Sequence, residues 1–188
     1  MAALKDRGPA KLAWGQGKVD FAHNRRTPGG PVDHDMPLLR VTDLDGTLRA
    51  ILVNYACHCT ALDDNQISGD WAGYAQQQIE RSHPGVIALV AIGCGADANP
   101  EPRVGHNFAE QHGTAIAREV DRLLASDLKP LDSKVTTKLK RVDLPFDTLP
   151  TREEWQRRAA TEGAVGYHAR VQLARLDAGE SLPTELDY

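Results

Sequence analysis

The stretch Met36–Cys59, "MPLLRVTDLDGTLRAILVNYACHC", decides how this chain folds. Residues 37–43 form one apolar run and residues 48–57 another, with "DLDGT" between them. Asp45-Gly46 is a strong turn pair, because glycine enters positive φ at low cost. The stretch therefore predicts a β-hairpin whose second strand leads into a Cys-His-Cys sequence. Further on, "GVIALVAIG" (85–93) is a short continuous apolar run bounded by glycines, the pattern of a buried strand. Between the two, Trp71, Tyr74, Ala75, Gln78 and Ile79 recur at helical spacing, with Asp70 as the expected N-cap and Pro84-Gly85 beyond the end.

A second helix is expected over residues 107–126, with Phe108, Ile116, Val120, Leu123 and Leu124 on its apolar side. "KVTTKLKRVDLPF" (134–146) alternates apolar and polar residues like an outer strand. Pro150 then sets apart a charged tail in which Thr151 and Glu154 form a capping box for helical structure. The order β-β-α-β-α-β-α predicts an α/β fold: a mixed β-sheet flanked by helices, with a C-terminal helical segment.

Composition narrows the class. Of 188 residues, 41% are apolar and 26% charged, as in globular proteins with a packed core. The net charge of −4, with both signs interspersed, gives no electrostatic footprint for nucleic acid. No apolar run approaches the length of a transmembrane span, and "MAALKDRGPAKLAW" lacks the apolar core of a secretory signal. Three cysteines exclude a dense disulfide framework.

In "NYACHCT" (54–60), an extended backbone sends alternate side chains to opposite faces. Cys57 and His58 then diverge, which makes a Cys-His-Cys chelate poor, and the spacing lacks the paired CxxC of a structural zinc site. The cysteines read as small packing residues. His58 reads either as a hydrogen-bonded core histidine or as a functional one.

A second candidate is "AIGCGADANPEPR" (91–103). A strand that ends in Gly-Cys-Gly-Ala-Asp places a glycine-rich turn and the Asp97 carboxylate where α/β proteins bind ligands. Glycine there lets backbone N–H groups approach a substrate oxygen. The alternative is a tight exit turn with Asp97 capping its own backbone. In "FAHNRRTPGG" (21–30), Arg25 or Arg26 could clamp an oxygen-bearing group or be a solvated loop pair. No GxSxG elbow and no HExxH helix is present. His106 and His112, six apart, do not share a helical face, and His83 and His168 read as surface residues.

Taken in order, these pieces resemble the N-terminal domain of the neutral/alkaline non-lysosomal ceramidases. The resemblance is carried by Asn24-Arg25-Arg26, by Val32–Leu39, by "NYACHCT", by Ile67–Ala75 and, more loosely, by Gly95–Pro100. It implies a zinc-dependent amidase that cleaves the N-acyl bond of ceramide, with a lipid-like or amide substrate, zinc as cofactor and a secreted or periplasmic setting. Carried over, His58 becomes a zinc ligand and Arg25, with Asn24 and Gly95, lines the substrate site. The family's loop serine falls on Ala98 in an ungapped alignment from Cys94, so Asp97 and Asn99 stand as the catalytic candidates. The family's other zinc ligands, an earlier histidine and a later glutamate and tyrosine, have no counterpart here.

The chain thus reads as the interior of a larger enzyme, with residues 1–145 part of the catalytic domain and 146–188 its helical extension. Isolated, it is expected to bind zinc weakly and to lack amidase activity. Two further readings stay open: a metal-independent α/β hydrolase using Asp97 and His58 as acid and base, and a non-catalytic domain binding a lipid or protein.

Overall fold

The computed structural model describes residues 2–5, 7–132 and 136–187. The chain divides into two compact units, residues 1–133 and 134–188. The first begins with a short helix α1 (Ala2–Lys5) and strands β1 (Lys11–Lys18) and β2 (Ala22–Asn24). The hairpin β3 (Asp35–Thr42) and β4 (Leu48–Tyr55) follows, then α2 (Asp70–Ser82) and β5 (Ile87–Ile92). Strand β6 (Ala98–Pro100), helix α3 (His106–Leu124) and strand β7 (Lys129–Leu131) complete it.

The expected hairpin forms, with Gly46 at φ 95° in its turn and Leu39 opposite Leu52. It is the centre of a five-stranded sheet of order β5-β4-β3-β1-β7. Every pairing is antiparallel except β4 with β5, which α2 joins as a parallel βαβ crossover. Alternation sends Met36, Leu38, Ile51, Val53 and Tyr55 to one face, all fully buried. There they meet Trp71, Ala75 and Ile79 of α2 and Ile116, Val120 and Leu123 of α3 in one apolar core.

Strand β1, "KLAWGQGK", was not anticipated from the sequence, because two glycines break its apolar alternation. Packing explains them. A Cβ built on Gly15 would stand 2.5 Å from the Leu128 side chain, and one on Gly17 would stand 2.8 Å from the Glu119 Cγ. The glycines let α3 and the chain after it lie directly on the strand. Glu119 then accepts the Lys18 N–H at 3.0 Å.

Three expectations need correction. Strand β5 is the sheet's edge rather than a strand buried on both faces: Ile87 is 60% exposed and Leu89 48%. It has a neighbour on one side only, and both long helices cover the same face of the sheet. The cap of α2 is Gly69, while Asp70 is its first residue, held at φ 52°. The Asp70 carboxylate accepts the N–H groups of Ala61, Leu62 and Trp71, tying the incoming loop to the helix start. Finally, residues 136–142 form no strand, and only Asp143–Pro145 do; Lys134 and Val135 lie outside the described residues. Charged side chains interrupt that segment, and no sheet edge of its own unit receives it.

In the second unit, β8 (Asp143–Pro145) pairs with β9 (Glu185–Asp187) around helices α4 (Arg152–Ala159) and α5 (Gly163–Asp177). The capping box is present: the Thr151 hydroxyl accepts the Glu154 N–H at 3.3 Å. Trp155 is buried, with the Arg158 guanidinium 5.4 Å from its ring centroid. The fold is mixed α/β, and no described helix is long and apolar enough to cross a membrane.

Candidate functional site

Parallel strands β4 and β5 end side by side, with Tyr55 opposite Ile92. Beyond them the chain makes two tight exits. One, residues 56–60, carries His58. The other, residues 93–97, is pressed against the first: Gly93 N–H donates to Tyr55 O at 3.0 Å and His58 N–H to Ala98 O at 3.0 Å. A Cβ on Gly95 would lie 2.5 Å from both the Ala56 carbonyl carbon and the Cys57 nitrogen, so only glycine permits this approach.

A third segment closes the group. Strand β2 pairs antiparallel with β6, placing Asn24 opposite Ala98. Arg25 N–H donates to Asp97 O at 2.7 Å, and the Asn24 amide donates to the Asp97 carboxylate at 2.9 Å. The Asn24 side-chain oxygen meanwhile accepts the N–H groups of Arg26 and Thr27, so Asn24 sets both its own loop and the Asp97 side chain.

His58 and Arg25 meet on one atom. The Ala96 carbonyl accepts from Arg25 Nε at 3.1 Å and lies 3.2 Å from His58 Nε2. A carbonyl can only accept, so this contact assigns the proton to Nε2 and leaves Nδ1 as the lone-pair nitrogen. The Arg25 residue is exposed, and its terminal nitrogens have no hydrogen-bond partner among the described residues. Asn99 lies near the same place, its side-chain oxygen 3.5 Å from the Thr60 hydroxyl.

Behind the ledge stands an aromatic group. Trp71 donates its indole N–H to the His58 carbonyl at 2.8 Å. The Tyr55 hydroxyl donates to Val19 O at 2.8 Å and accepts the Ala22 N–H at 3.2 Å. Burial pushes its phenol well above the usual range. Phe21 packs between them, 4.8 Å from Tyr55 and 5.4 Å from Trp71, and stacks on His112 at 4.3 Å. Sequence reading took Trp71 as one residue of a helical face and gave Tyr55 no part. The signal of their polar ends lies in tertiary contacts alone.

The structure thus brings together His58, Asn24, Arg25, Asp97 and Asn99 at one end of the sheet. Gly95 donates its N–H to Gly93 O at 2.8 Å, and the residue is buried in close packing against Ala56 and Cys57. The N–H groups of Ala96 and Asp97 have no acceptor among the described residues. Asp97 and His58 do not bond each other; their partners are Asn24 and Ala96. Strand β4 also stops at Tyr55, so His58 sits in a turn and not on an extended strand.

The cysteines are packing residues only in part. Cys57 is buried, and desolvation pushes its thiol up to about 12. Cys59 is exposed as a residue, yet the protein crowded about its sulfur, with Asp70 nearby, raises its thiol to about 11. Neither is a thiolate near neutral pH, so neither is a ready nucleophile. All three cysteines are free. Elsewhere His112 Nε2–H donates to Pro102 O at 2.7 Å, and His106 contacts Asp64 at 2.9 Å. His83 pairs with Asp121, and His168 packs edge-on against Trp155. Among the described residues no group of three or more His, Cys, Asp or Glu side chains could hold a metal ion.

No protein-family model and no curated protein matches the chain. Among the solved structures that share its fold, two are ceramidases. One is a ceramidase complexed with C2, at 18% identity and a TM-score of 0.58, covering 74% of this chain and 25% of that one. The other is the neutral ceramidase from Pseudomonas aeruginosa, at 20% identity and a TM-score of 0.57, covering 79% of this chain and 28% of that one. The chain therefore spans about a quarter of the length of either structure.

Proposed function

We propose that this fold carries the substrate-holding part of a ceramidase-like amide hydrolase acting on a lipid-like N-acyl substrate. The observation that supports the reading is the convergence of Arg25 and His58 on the Ala96 carbonyl, beside Asp97 fixed by Asn24. An amide substrate offers one acceptor oxygen and one donor N–H. The terminal nitrogens of Arg25 would hold the acyl oxygen, with the N–H groups of Ala96 and Asp97 as further donors. The Asp97 carboxylate, with one oxygen on Asn24, would accept from the substrate N–H or a neighbouring hydroxyl.

Zinc enters this reading through His58 alone, whose Nδ1 is the nitrogen able to act as a donor. The described residues do not complete a metal centre, which needs about three protein ligands. The function proposed for these 188 residues is therefore substrate holding, with any catalytic metal dependent on donors from outside them. The acid–base alternative has less support, since His58 and Asp97 are each engaged elsewhere.

The test is a titration of the isolated chain with a short-chain ceramide, followed by amide NMR. The reading expects shifts at Arg25, His58 and residues 96–98, lost in Arg25→Ala, with no release of fatty acid. Shifts confined to other regions, or unaltered in Arg25→Ala, would refute it. Elemental analysis should find zinc well below one equivalent and lower still in His58→Ala; stoichiometric zinc that His58→Ala abolishes would overturn this part of the reading.

A further inference from the structure

The ribbon of β2 and β6 has two unlike faces. Ala22, Ala98 and Pro100 are buried on one of them. Alternation sends His23 and Asn99, which stand directly opposite each other, to the other face. The pairing continues one residue further, where Arg25 N–H donates to Asp97 O, so Arg25 lies on the same side as His23. His23 and Asn99 each keep one polar group unused. His23 Nδ1 lies 3.3 Å from Phe21 O, and a carbonyl only accepts, so Nδ1 carries the proton and Nε2 the lone pair. The Asn99 side-chain oxygen takes the Thr60 hydroxyl at 3.5 Å, which leaves the Asn99 amide nitrogen as a donor. Neither His23 Nε2 nor the Asn99 amide nitrogen has a partner among the described residues.

We infer that His23 and Asn99 together read a hydroxyl of the substrate, so that the site prefers an N-acyl amino alcohol to a plain N-acyl amine, an inference that rests on Arg25 holding the acyl oxygen. A hydroxyl is donor and acceptor at once. Its O–H goes to His23 Nε2, and its oxygen takes the Asn99 amide N–H. Directly opposite residues have Cβ atoms about 4.5–5.5 Å apart, so one oxygen meets both side chains. Other groups match the pair less well. A carboxylate only accepts and leaves His23 Nε2 unmet, while an ammonium only donates and leaves the Asn99 amide unmet. Residues two apart on one strand face stand about 7 Å apart, as His23 and Arg25 do. The hydroxyl read here is therefore one carried close to the amide, not one far along an acyl chain. The Asp97 carboxylate is then left to the substrate N–H. A site built to hydrogen-bond a hydroxyl rejects the analogue without it, because its own polar groups then stay unpaired.

Amide NMR titrations of the full chain with two probes test this. One probe is a short-chain ceramide; the other is the same N-acyl amine with hydrogen in place of both hydroxyls. Both should shift Arg25 and residues 96–98, with the ceramide bound about tenfold more tightly. His23→Phe should lose most of that preference while the affinity for the deoxy probe stays, a split that a merely structural role does not produce. Asn99→Ala should lose the preference too. His23→Gln, whose side-chain oxygen still accepts, should retain part of it. Far-ultraviolet circular dichroism checks that each variant keeps the fold. Equal affinity for the two probes in the wild type would overturn the inference and leave Arg25 as the holder of the acyl oxygen. A preference that survives both His23→Phe and Asn99→Ala would overturn it as well, as would a His23→Phe variant that weakens both probes alike. If neither probe shifts Arg25, the substrate-holding reading falls and this one with it.

Discussion

The indole N–H of fully buried Trp71 is donated to the carbonyl of His58 at 2.8 Å, so a core residue holds the backbone of the candidate site. The His58 N–H, given to Ala98 O, fixes the preceding peptide, so both peptide groups flanking the His58 Cα are held. These two bonds set the His58 backbone, and with it the point from which the imidazole reaches the Ala96 carbonyl.

Trp71→Phe keeps most of the apolar volume and removes that donor. It should cost about 1–3 kcal/mol, the loss of a buried hydrogen bond plus a small cavity. Urea unfolding gives the stability, and the His58 ring resonances should broaden or shift as its peptide loosens. An unchanged His58 signal would show that Trp71 only fills space.

Tyr55→Phe removes a hydroxyl that serves Val19 O and the Ala22 N–H together. Leaving both buried partners unmet should cost about 1–3 kcal/mol. The damage should be local: hydrogen exchange should quicken most over residues 19–25, which lead to Asn24 and Arg25. Uniform quickening would instead mean a global loss.

Gly95→Ala places a methyl 2.5 Å from the backbone of Ala56 and Cys57, and backbone cannot rotate away. Overpacking of this kind costs about 1–3 kcal/mol. The two exits must separate, so the Ala96 contact with His58 should lengthen and ceramide-induced shifts should weaken. Gly46→Ala, strained in its hairpin turn, is the control that destabilises without touching the site.

Alkaline pH should unfold the chain through its buried thiol. Cys57 sits near 9.0 when unfolded and is pushed up to about 12 when folded, first by desolvation. The folded protein therefore keeps a proton that the unfolded chain has lost. Stability from this group is full below about pH 9 and falls as pH rises through the folded value. Urea midpoints at neutral pH and near pH 10 should show the decline, and Cys57→Ala should lessen it, the remainder coming from the raised Cys59 thiol and Tyr55 phenol. At mild pH, a thiol reagent should label exposed Cys94 while sparing Cys57.

Local chemistry made much of the fold legible. The Asp45-Gly46 turn, the apolar runs beside it, the helical spacing from Trp71 to Ile79 and the Thr151–Glu154 box act between near neighbours, and each appears where it was read. Strand β1 escaped because Gly15 and Gly17 answer to helix α3, more than a hundred residues away in sequence. The apolar run of β5 reported a buried strand, since hydropathy records what a strand can bury and not which layers surround it.

The candidate site divides in the same way. Residue types singled out His58, Asp97 and the Arg25/Arg26 pair, and the family resemblance settled on Arg25 and added Asn24 and Asn99. That these five lie together, that Gly95 is there for packing, and that Tyr55 and Trp71 hold the ledge from behind were decided by tertiary structure. The physical reason is range: turns and caps are settled within a few residues of chain. The Ala96 carbonyl, by contrast, joins Arg25 to His58 only after three separate strand ends have been packed against one core.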